Sequence, residues 1–135
     1  MWYEFELSIP AGTTEAAPVE LELPVGYGVI HKVVIEGAPG MHRLAYLRIK
    51  EGLHQIYPSN PERAFQLDAV PRIFEERHEM FTEPYTLTAI GYAPDTTYAH
   101  TYHIAIGVLP PESFPEFSKR MSGLDRFLWL VGIRP

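Results

Sequence analysis

The sequence predicts an all-β protein: an antiparallel β-sandwich, jelly-roll-like, of about eight strands, with a C-terminal arm or short helix. Three observations carry this prediction. Apolar and polar residues alternate with period two in short runs, and turn formers separate the runs, with 13 Pro and 10 Gly among 135 residues. No segment before Pro110 keeps a helical period. A chain of this length is expected to build one hydrophobic core. The pattern breaks at Pro110 and Pro111, so the sandwich is placed at 1–110 and the arm at 111–135.

The first strand is expected around "FELSI", with Phe5, Leu7 and Ile9 on one face and Glu4, Glu6 and Ser8 on the other. "PAGTTEA" turns the chain, and "PVELEL" alternates again, Val19, Leu21 and Leu23 inward. After "PVGYG", the run "VIHKVVIE" puts Val29, His31, Val33 and Ile35 on one face. It is apolar on both sides, as a central strand would be. "GAPG" makes a turn. "HRLAYLRIK" then sets Leu44, Tyr46 and Arg48 against Ala45, Leu47 and Ile49, and "EGLHQIYPSNPE" reads as a short strand and a polar loop. Between Ala64 and Met80 the pattern is weakest: "FQLD" and "RIFEE" fit short strands, and "FEERHEMF" fits a helical turn. "YTLTAIGY" restores alternation, and Tyr98 to Leu109 is expected to be the last strand of the body.

Beyond the prolines, Phe114, Phe117, Met121, Leu124, Leu128 and Val131 recur at spacings of three and four, a helical stripe, with Trp129 beside it. "RFLWLVGI" also reads as one more strand. In either form the arm needs a surface to cover, on its own sandwich or on a neighbouring copy. These seven residues are the candidate partner interface.

Composition bounds the function. There is no cysteine, and the formal net charge is −6 with only 11 Lys and Arg. Disulfides, thiolate metal sites and cysteine nucleophiles are thereby excluded, and no basic cluster points to nucleic acid. No apolar run reaches the roughly 20 residues needed to cross a bilayer, and the glutamates of "MWYEFELSIP" argue against a secretory signal.

The histidines were tested as ligands by spacing. His100 and His103 are three apart on a predicted strand and so point to opposite faces, which leaves His100 in an aromatic stripe with Tyr98 and Tyr102. "PGMH" at Pro39–His42 has the look of half a cupin motif without its companion. His78 within "ERHE" reads as solvated charge, and His31 and His54 as structural residues. No catalytic residue, cofactor site or metal site is therefore predicted. A sugar platform of Trp2, Tyr92, Tyr98 and Tyr102 is the main alternative, and a cupin-like metal-dependent enzyme a second.

With "IPAGTT", the Gly52–Pro58 segment "GLHQIYP", "DTTYAH" and the proline-led arm in view, the chain resembles the capsid decoration, or auxiliary, proteins of thermophilic tailed phages. The resemblance spans the chain in size and organisation. It implies a thermostable structural protein without catalytic residues, a homotrimer on the outside of the virion that grips the major capsid protein lattice. High loop proline agrees with heat tolerance.

Overall fold

The computed structural model describes residues 1–115. They form an all-β sandwich of two antiparallel sheets. The strands are β1 Trp2–Ile9, β2 Val19–Pro24, β3 Gly28–Gly37, β4 Tyr46–Glu51, β5 His54–Tyr57, β6 Phe65–Gln66, β7 Arg72–Met80, β8 Thr86–Tyr92 and β9 His100–Leu109. The first sheet has the order β1-β9-β3-β7. The second runs β2-β8-β4-β5, with β6 also pairing with β4. Apart from the run β4-β5-β6, each successive strand changes sheet.

Alternation explains the layers. Leu7 and Ile9 of β1, Leu23 of β2, Leu47 and Ile49 of β4, Leu87 and Ala89 of β8, and Ile104 and Ile106 of β9 meet in one buried cluster between the sheets. Each large aliphatic side chain there contributes about 1.5–3 kcal/mol by leaving water. Tyr102 spans the layer: its hydroxyl donates to the Ala45 carbonyl at 2.6 Å and accepts the Leu67 N–H at 3.2 Å. Burial, opposed by the Leu67 bond, pushes this phenol up to about 12. One side chain of the first sheet thus ties down two loops of the second.

The expected strands are present, with five differences. β1 starts at Trp2, three residues early. β4 starts only at Tyr46, because His42 and Arg43 take positive φ values of 49° and 61° and turn the chain. β9 starts at His100, leaving Tyr98 exposed in a loop. Residues 72–80 form one nine-residue strand where fragments and a helical turn were expected. Finally, β3 is central but bulged: Ile30 pairs with Val108 and Lys32 with Gly107, so His31 is an extra residue against β9. The bulge resets the alternation. Ile30, Val33 and Ile35 face the core, whereas Val29 packs in a separate cluster with Phe114, and His31 does not share the Val33 face.

Candidate assembly surface

The outer face of the β1-β9-β3-β7 sheet follows from the register. Trp2 lies opposite Gly107, which lies opposite Lys32. The next row is Glu4, Ala105, Val34 and Ile73, and the next Glu6, His103 and Glu36. β9 presents Gly107 and Ala105 where its neighbours present long side chains. The small residues therefore make a trough along β9, walled by Glu4 and Glu6 on one side and by Val34 and Glu36 on the other. This depression encloses about 410 Å³.

Trp2 closes one end. A Cβ on Gly107 would come within 3.0 Å of the indole ring and 2.7 Å of His31 Nε2, so only glycine lets both rings lie over β9. The indole remains 49% exposed and donates from Nε1 to Glu4 at 3.4 Å. At the other end His103 Nδ1 stands 3.4 Å from Glu6. The walls carry carboxylates, and between them lie Ala105, the Val34 side chain and the edge of the Trp2 ring, with His103 at the far end. His31 is held below its ordinary value of 6.5, first by burial and then by the positive charges of the N-terminus, Arg77 and Lys32, with Glu75 opposing.

The arm begins on the same face. After β9, a single 3₁₀ turn, Pro111–Ser113, brings Phe114 back over Val29, Leu109 and Phe81, where it is 7% exposed. The Arg77 guanidinium of edge strand β7 stands 4.5 Å over its ring. Of the predicted interface residues, Phe114 is thus a buried anchor on its own sandwich. Phe117, Met121, Leu124, Leu128, Trp129 and Val131 lie outside the described residues.

The residues of the sugar platform are dispersed. Tyr102 is in the core and Trp2 is on the first sheet's outer face. Tyr92 stacks on Tyr46 at 4.8 Å on the second sheet, beneath the Arg48–Glu15 pair. Burial, reinforced by Glu15 and opposed by Arg48, raises the Tyr92 phenol. Among the described residues, no three His, Asp or Glu side chains gather as a metal site. His42 and His100 do line one end depression with Tyr98 and Asp95, a juxtaposition of two loops that spacing alone does not reveal.

A second polar cluster closes the β5/β7 edge. His78 Nε2 of β7 lies 3.1 Å from Glu51 of β4, linking the sheets. Beside them the Tyr57 hydroxyl is buried without a well-formed hydrogen bond, the Glu76 carboxylate being its nearby acceptor. Burial first, then the charges of Glu76 and Glu51 and the Glu76 contact, push that phenol well above its ordinary range. Sequence reasoning treated His78 as solvated, and only the pairing of sheets puts a carboxylate beside it.

Compared with protein-family models and with curated proteins, the chain matches none.

Proposed function

We propose that this chain is a structural virion protein that assembles as a homo-oligomer, a trimer by its resemblance, on the capsid surface and stabilises the shell. The carrying observation is the troughed outer face of the β1-β9-β3-β7 sheet, with Ala105, Val34 and the exposed Trp2 ring set between acidic side chains, in a chain whose remaining segment carries an apolar stripe. The strand order β1-β9-β3-β7 against β2-β8-β4-β5 supports a jelly-roll reading of the sandwich, an architecture used by viral capsid and lectin domains. Binding a mature lattice better than its alternatives would stabilise the shell by mass action.

Light scattering on the full chain across a concentration series tests this. A mass three times that of the 15.4 kDa chain is expected, together with co-sedimentation with phage shells stripped of their surface proteins. Replacing Phe117, Leu128 and Trp129 by alanine should weaken assembly about 30-fold or more, as loss of one aromatic anchor of about 2 kcal/mol does. A monomer at every concentration that leaves shells unbound overturns the reading.

A further inference from the structure

We propose that the trough over β9 is the seat for the stripe Leu124–Val131 of a neighbouring copy, an inference that rests on the assembly reading above. Dimensions come first. The walls, on β1 and β3, are two strand spacings apart, about 10 Å, which is the diameter of an α-helix with its side chains. Beyond the Gly107 row, which the Trp2 and His31 rings cover, the open floor runs two residues of β9 to the Glu6–His103 row, about 7 Å, the rise of between four and five helical residues, roughly one turn. Leu124 and Leu128 are four residues apart, so one turn of the stripe seats there.

Charge agrees. Residues 1–115 hold seven Lys and Arg against fifteen Asp and Glu, a net −8, whereas 116–135 hold four against two, a net +2. The walls contribute Glu4, Glu6 and Glu36; within the stripe Arg126 offsets Asp125, and Lys119, Arg120 and Arg134 lie on either side of it.

Direction selects the neighbour over the chain's own trough. From the end of β9 the backbone crosses β3 to put Phe114 beneath Arg77 of β7. It therefore moves away from the trough, toward the free edge of the sheet. Leu124 lies nine positions beyond Pro115, enough to extend about 30 Å. Contact of this kind is head-to-tail: each copy gives an arm and receives one, and a ring closes where the rotation permits.

Because the chain has no cysteine, cross-linking tests the contact directly. Full-length copies bearing Ala105→Cys and differently tagged copies bearing Leu128→Cys are co-expressed and mildly oxidised. The expected result is a disulfide-linked species carrying both tags, in more than half of the mixed assemblies, and absent when either variant is oxidised alone. A chain bearing both substitutions that closes on itself at monomer mass, with no link between singly substituted copies, overturns the proposal in favour of the chain's own arm. Absence of any link in a protein that still scatters as an oligomer overturns it while leaving the assembly reading standing, and a monomeric parent removes both. Val34→Cys with Leu124→Cys repeats the test at the opposite wall, and decides it if Ala105→Cys does not fold.

Discussion

Two buried tyrosines make opposite use of the same hydroxyl. Tyr102 satisfies the Ala45 carbonyl and the Leu67 N–H, so Tyr102→Phe leaves two backbone groups without partners. Each such orphan costs about 1–3 kcal/mol. Tyr57 buries a hydroxyl that makes no well-formed hydrogen bond; the Glu76 carboxylate is its nearby acceptor, and burial first, then Glu76 and Glu51, keep it protonated. Its removal gives up only that loose Glu76 contact and relieves a desolvation cost of about 1 kcal/mol. Urea denaturation should therefore find Tyr102→Phe less stable than the parent by at least about 1 kcal/mol, and Tyr57→Phe equal to it or more stable by up to about 1 kcal/mol. A loss above that size in Tyr57→Phe would mean that the phenol has a partner in solution. The contrast is sharp because the two rings have the same volume change on substitution, and burial alone predicts the same sign for both.

At the scale of the element, the strands legible in the sequence are those with one wet face and one dry face. β1, β2 and β4 show it, and the two alternating sets of each are legible because a sheet's side-chain period is two; β8 alternates too, but Ile90 and Tyr92 of its outer set are buried as well. β7 hid itself. As an edge strand it carries charge on both faces, Glu75, Arg77 and Glu79 outward and Glu76 and His78 toward the open end of the core, so no hydrophobic alternation remains to be seen. Charge of that kind also protects an edge from pairing with other chains. The bulge in β3 was equally invisible, since an extra residue shows only against a partner's register. The trough had the same fate: Ala105 becomes its floor, and Gly107 the place where the Trp2 and His31 rings settle, only once the register is known. Phe114 stands in the stripe of the sequence, but the face it covers, Val29, Leu109 and Phe81 of its own sandwich, shows only in the fold. The bulge has a titratable consequence. His31 sits where burial first, and then the N-terminus, Arg77 and Lys32, disfavour its cation, and Glu75 only partly offsets them. Its folded pKa lies below the unfolded 6.5, so the unfolded chain binds the extra proton. Its contribution is complete above 6.5 and is lost as pH falls through the lowered value. Thermal melts between pH 7.5 and 5 should show the parent losing more stability than His31→Gln; parallel curves would contradict this.

At the scale of the molecule, assembly sets long-range repulsion against short-range contact, and ionic strength separates the two. Each copy carries −6 at pH 7. A compact chain of this size has a radius of gyration near 14 Å, which puts the centres of touching copies roughly 36 Å apart. Two such charges in water repel by about 4 kcal/mol without screening. The Debye length is about 30 Å at 0.01 M and 8 Å at 0.15 M, so roughly 1 kcal/mol of repulsion survives at the lower salt and almost none at the higher. The attractive pairs proposed across the trough act at contact distance, and rim pairs of that kind are worth about 0–1 kcal/mol each. Relief of repulsion is therefore the larger effect over this range. Between 0.01 and 0.15 M salt the dissociation constant should fall about fivefold, the factor that about 1 kcal/mol produces. Sedimentation of the full chain at matched concentrations measures it. A constant that rose steadily with salt would instead place the balance in charge attraction between copies, and apolar burial in the trough would no longer be what holds them together.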